Sequence, residues 1–255
     1  CLPLATLSNR QIKKMEEGRA VETTSNPTVS LFGIDFDLTI LAMSLLTVII
    51  VFGVVFWSSR DMTIKPKGKQ NVLEFIYEFV NNTISQSLGK FTKNYSLLLF
   101  VIFTFVFTAN NLGLLVSVKS EHYNFWSSPT SNFGVTITLS LIITLVSHIE
   151  GIRKKGFKGY LKGYLSPYPA MLPMNILEQF TNLASLALRL FGNIYSGEVL
   201  IDLILQLVKW SVFAAPISFA LNLVWVAFSA FIGFIQAYVF IILSSNYIGD
   251  KVNEE

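Results

Sequence analysis

The sequence predicts an all-α, polytopic membrane protein with about five to six membrane helices, and three observations carry that reading. Hydrophobic residues make up 52% of the 255-residue chain and charged residues only 14%, against roughly 25% in an average soluble domain, which excludes disorder and disfavours a water-soluble globule. Mean hydropathy is +0.55, so lipid is the expected solvent for most of the chain. Long stretches free of charge or proline recur along it, each able to cross a hydrocarbon layer. The net charge of +3 is too small to suggest a nucleic-acid partner, and one cysteine, Cys1, excludes an internal disulfide or a thiolate metal cluster.

Residues 1–37 read as a polar leader carrying Pro27 and Gly33. Met15 is a candidate initiator, which would place residues 1–14 outside the native protein. Residues 38–255 read as a single membrane domain. Its first element, 38–57, is a 20-residue stretch without charge, about 30 Å long as a helix, and too long and too far from the start to be a signal peptide. Arg60, Lys65, Lys67 and Lys69 follow it. Val72, Ile76, Phe79 and Thr83 then recur at helical spacing opposite Glu74, Glu78, Asn81 and Asn82, which predicts an amphipathic helix on the membrane surface.

A second span is expected over 95–118, interrupted by Asn110-Asn111 and Gly113. A polar loop with Trp126 near the membrane boundary follows, and a third span runs from 133 to about 149, ending at His148 and Glu150 in a solvated helix terminus. Six Lys and Arg lie between the first two spans and five follow the third, whereas the 119–132 loop carries one. The basic segments should be cytoplasmic, which puts the N-terminus outside and the C-terminus inside.

Pro167, Pro169 and Pro173 mark a turn, after which 175–208 lacks proline and 211–248 has only Pro216, near its start. As helices of 34 and 38 residues they would be about 51 and 57 Å long. A straight helix of that length fits a layer of about 30 Å only when tilted beyond the usual range, so two long C-terminal helices should be slanted, curved or broken.

On the first of these helices Glu178, Asn182, Ser185, Arg189, Asn193 and Ser196 share one face within a sector of roughly 80°. On the second, Asn222, Ser229 and Gln236 recur at sevens and share a face too, so the two stripes are expected to meet in a polar seam. Arg189 is the sharpest residue. It stands at membrane depth, where an arginine costs roughly 2.5–3.5 kcal/mol, and no carboxylate lies three or four residues away to pair with it. Its partner is therefore Glu198 or another acid brought in by the fold, or it belongs to another chain; a purely structural arginine tied to backbone carbonyls or to Gln236 is the plainer alternative. Glu198 and Asp202 lie on another side of the helix and suit a separate aqueous path or simple solvation. Gly68-Lys69 and Gly89-Lys90 lack the spaced glycine of a phosphate loop, His148 and His122 fall on opposite membrane sides, and no nucleophile stands out. The chain is expected to do no covalent chemistry of its own and to need neither cofactor nor metal.

The run Leu186-Ala187-Leu188-Arg189-Leu190-Phe191-Gly192-Asn193-Ile194-Tyr195-Ser196-Gly197-Glu198 resembles the signature of subunit a of the bacterial F-type ATP synthase. So do Asn110-Asn111-Leu112-Gly113, Pro173-Met174-Asn175-Ile176-Leu177-Glu178, Ile235-Gln236-Ala237-Tyr238-Val239-Phe240 and a trailing Tyr247, over about residues 26–252. The resemblance implies a proton-translocating stator subunit in the cell membrane, with two half-channels against a ring of c subunits and a peripheral stalk of b subunits. It implies that Arg189 is the essential stator charge facing the ring carboxylate. Asn193 and Gln236 would flank it, Glu198 would belong to the outer half-channel, and Ser229, Asn222, Glu178 and Ser185 would line the proton path. Some members carry histidine where this chain has Ser229, so a titratable relay at that position is not implied here. The ion would be H⁺, with Na⁺ left open. Two readings compete: a secondary transporter holding an anionic substrate at Arg189, against which the lack of an internal repeat counts, and a structural scaffold.

Overall fold

The computed structural model describes residues 28–31, 34–60, 62–65, 67–115, 127–165, 168–210 and 215–253. Most of the expected leader and Trp126 lie outside them. The end of the leader differs from expectation: strands Thr28–Leu31 (β1) and Ile34–Asp37 (β2) pair antiparallel, with Thr28 opposite Asp37 and Leu31 opposite Ile34. Beyond this hairpin every long element is an α-helix.

Asp37 starts α1 (Leu38–Ser59) by accepting hydrogen bonds from the backbone N–H of Thr39 at 3.0 Å and of Ile40 at 3.2 Å, two groups that have no partner within the helix. This helix extends the expected first span by two residues. Only Thr39, Met43, Thr47 and Ser58 are buried, while Leu41, Leu45, Ile49, Phe52 and Phe56 stand exposed. Such a contiguous apolar surface, on a helix long and apolar enough to cross a membrane, suits lipid or another apolar partner and not water.

Helix α2 (Lys69–Leu88) is bracketed by Gly68 and Gly89, both at positive φ, and is amphipathic as expected, but it does not simply rest on the bundle. Val80, Ile84 and Leu88 are fully buried against the helices that follow, whereas Val72 is 58% exposed. The apolar face is thus rotated from the expected one, because Ile84 and Leu88 extend the Val80 row and Val72 lies off it. The interfacial reading is corrected to that extent: neighbouring helices cover much of this face.

Helix α3 (Thr92–Leu115) follows after one tight turn, Gly89–Phe91. A second such turn, Pro129–Ser131, leads into α4 (Phe133–Tyr164), whose first N–H groups are capped by Asn132. The helical path does not end at residue 149. It continues through the basic residues to Gly156, whose φ of +69° only glycine adopts without strain, and resumes beyond that kink. The returning arm brings the Tyr160 hydroxyl to 2.7 Å from His148 Nδ1, so His148 and Glu150 sit within a helix and His148 meets a partner side chain. Gly151 makes the approach possible, since a Cβ there would stand 2.8 Å from the Tyr160 ring.

The last helices, α5 (Leu172–Trp210) and α6 (Ala215–Asn253), have 39 residues each, or about 58 Å. Pro173 and Pro216 fall in their first turns, where a missing N–H costs nothing. Helix α6 is the hub, packed against α2, α3, α4 and α5, and Leu99, Ile143, Leu186, Leu190, Ile241 and Ile248 form the centre of the core. Among the described residues, Leu38–Ser59, Lys69–Gly113, Phe133–Tyr164 and Ala215–Val252 are long and apolar enough to cross a membrane. The chain is an all-α, multi-pass membrane protein.

Candidate functional site

Helix α5 turns its polar stripe outward. Glu178, Ser185, Arg189, Asn193 and Ser196 are exposed and Asn182 is half-buried, while Leu186, Ala187, Leu190 and Ile194 form the buried face behind them. The Arg189 guanidinium donates to Ser185 Oγ at 3.1 Å, and among the described residues no ion pair reaches it. A hydroxyl orients the guanidinium without neutralising it, so a full positive charge is presented at the middle of a helix whose flanks are apolar. Ser196 Oγ donates to the Asn193 carbonyl one turn further on.

The stripe on α6 does not meet this face. Ser229 and Gln236 are buried, at 7% and 9% exposure, and Asn222 is half-buried. Ser229 Oγ lies toward Gly197 of α5, and Trp225 Nε1 donates to the Gly197 carbonyl at 3.2 Å. The expected seam between two facing stripes is therefore corrected. The α6 groups pack inward, and only the α5 stripe looks out, because seven-residue spacing says which residues share a face but not which neighbour that face meets.

Two polar regions flank Arg189 along α5. Nine residues beyond it, about 14 Å along the axis, the Glu198 carboxylate accepts from the Ser128 backbone N–H at 3.0 Å and from Ser127 Oγ at 3.4 Å. A buried polar network continues behind: Ser128 Oγ donates to the Ala109 carbonyl, Thr130 Oγ1 donates to Asn110 Oδ1 at 2.7 Å, and Asn110 Nδ2 donates to the Gly233 carbonyl at 3.1 Å. Eleven residues before Arg189, Glu178 opens on a cleft of about 800 Å³ that Asn182, Tyr160, Tyr164, Tyr247 and Lys251 help to line.

The structure thus brings Ser185 and Arg189 together, leaves Gln236 without a hydrogen bond to Arg189, and sets Glu178 and Glu198 at opposite ends of the stripe. Sequence reasoning missed Ser127, Ser128, Thr130 and the Tyr160–Tyr164 pair. Their contacts join segments 70 residues apart or cross a kink, and no periodicity reports either.

These features define a class: a membrane subunit that offers an exposed, unneutralised arginine on a long polar-striped helix. A family model described as ATP synthase A chain matches residues 41–249. Curated proteins named "ATP synthase subunit a" are similar over nearly their whole length. The protein of Streptococcus agalactiae serotype III is 72% identical over 233 residues, covering 91% of this chain and 98% of the relative. Those of Streptococcus gordonii and Streptococcus pneumoniae are 52% and 48% identical, each covering 92% of this chain and at least 99% of the relative. The chain belongs to the ATP synthase A chain family, the a subunits of F-type ATP synthases.

Proposed function

We propose that this chain is the proton-conducting stator subunit of a rotary ATP synthase, acting against a ring of c subunits each of which carries one membrane-embedded carboxylate. The observation that carries the reading is Arg189, exposed on an open helix face and, among the described residues, bonded to the Ser185 hydroxyl with no carboxylate paired to it. A cation so placed in lipid calls for a mobile anion from outside the chain. Ser185 and Asn193 hold hydrogen-bonding capacity on either side of it.

A proton enters along a polar path that includes Glu198, neutralises a ring carboxylate so that this group can turn into lipid, and leaves by the cleft at Glu178 after the ring has revolved. Arg189 stands between the two paths. Its charge repels a proton that would pass directly, and it stabilises each carboxylate that arrives ionised. One charge crossing 100 mV releases about 2.3 kcal/mol, so several must cross for each ATP made. Ser229, buried against Gly197 of α5, and the buried Gln236 support the geometry of the helix pair from within. The excess of Lys and Arg in the segments after the first and third spans supports an orientation with the Glu178 cleft and the C-terminus on the cytoplasmic side and the N-terminus outside. Peripheral-stalk b subunits complete the stator.

Replacement of Arg189 by alanine in the assembled complex is expected to reduce proton-driven ATP synthesis to background. Cysteines at Ser185 or Asn193 should crosslink to ring helices. Normal coupled synthesis by the alanine variant, or no crosslink from either position, would refute the role.

A further inference from the structure

We propose that the 127–131 turn is a proton-counting collar for Glu198, with Ser127 as the positioning residue; the inference rests on Glu198 lying in the inlet path. The Ser128 N–H is a fixed donor to the carboxylate. The Ser127 hydroxyl has one hydrogen and two claims on it: Glu198 at 3.4 Å, and Ser131 Oγ at 2.8 Å. Ser131 is divided in the same way, because its hydroxyl lies 2.8 Å from the Ser128 carbonyl as well.

Two arrangements follow from counting hydrogens. In one, Ser131 donates to Ser127 and Ser127 donates to Glu198, which favours the ionised carboxylate. In the other, Ser131 donates to the Ser128 carbonyl and Ser127 donates to Ser131, which leaves the carboxyl with one donor fewer and suits the protonated form. Neither change requires the backbone to move. Ser127 and Ser128 are buried, at 8% and 0% exposure, and Glu198 is half-buried beside them, so the two serine donors are held in place by packing.

The stretches 38–59 of α1, 96–115 of α3, 133–147 of α4 and 215–237 of α6 contain no titratable side chain, and neither does 127–131. On α5, Tyr195 stands three residues before Glu198, Asp202 one turn beyond it, and Arg189 two and a half turns before it.

The experiment follows proton-driven ATP synthesis by the assembled complex in vesicles as pH is varied on the Glu198 side. Ser127→Ala removes a donor from the ionised carboxylate, so the proton is held more tightly and the midpoint should rise by about half a unit to one unit. Ser127→Thr keeps the hydroxyl and should keep the midpoint. Ser131→Ala removes the alternative acceptor, leaving Ser127 committed to Glu198, and should lower the midpoint by a similar amount. Shifts of the same sign in the two alanine variants, or no shift in either, overturn the proposal. If only one alanine variant assembles, the sign of its shift decides. Glu198→Gln tests the underlying reading separately: an unchanged rate and profile would remove Glu198 from the path and the collar's role with it, whereas a slowed rate without the opposed serine shifts would sink the collar alone.

Discussion

Replacing Gly113 by alanine adds a single methyl group and should have a large effect. The new Cβ would lie 2.4 Å from Ser128 Cβ, 2.8 Å from its nitrogen and 2.9 Å from its Cα. Carbon atoms rest at about 3.5–4.0 Å, so the turn must retreat by about 1 Å, because the backbone nitrogen and Cα, and the Cβ fixed to them, have no rotamer to escape into. The Ser128 N–H that must move with the turn is the one that donates to Glu198 at 3.0 Å, so that hydrogen bond is disturbed as well. Overpacking costs about 1–3 kcal/mol and a hydrogen bond to a charged group about 1.5–3 kcal/mol, which together give about 2–5 kcal/mol once partial relaxation is allowed. The assay is thermal inactivation of the assembled complex alongside its pH profile on the Glu198 side. Gly53→Ala on α1 is the control, because nothing lies within 4 Å of the Cβ it would add. Wild-type inactivation and an unshifted profile for Gly113→Ala would refute the claimed approach of turn and helix.

Two further substitutions probe the frame. Gly156→Ala should cost about 1–2 kcal/mol, because φ of +69° is unfavourable for a side-chain-bearing residue, and should loosen the returning arm; faster tryptic cleavage at Lys155 and Lys158 would report it. Asp37→Ala removes the acceptor for the first N–H groups of α1 and should cost about 1 kcal/mol, measured as an earlier thermal transition of the purified subunit in detergent.

Arg189 was legible in the sequence because a charge amid apolar residues is conspicuous and the 3.6-residue period collects Glu178, Ser185 and Asn193 on its side. The spans were legible because length and apolarity are local properties. Where α4 ends was not: its basic run looks like the close of a span, but charge marks where a helix leaves lipid rather than where it stops. The phase of α2 was missed because Val72 satisfies a hydrophobic template that the packed Val80, Ile84 and Leu88 row contradicts. The Glu198 collar was out of reach because Ser127 and Ser128 belong to a short turn whose value depends on a helix 70 residues later.

Helix α1 is fastened to its neighbours by few inward side chains, Met43 and Thr47 foremost, and leaves most of its girth exposed and apolar. Its 22 residues make a rod of about 33 Å, close to the thickness of an ordinary hydrocarbon layer. A thicker or thinner bilayer would therefore tip this outrigger first. The α5 and α6 pair, clasped through Gly197 and the α6 core, would keep its footing, and adaptation to a new lipid composition could proceed at the rim without disturbing the charged face.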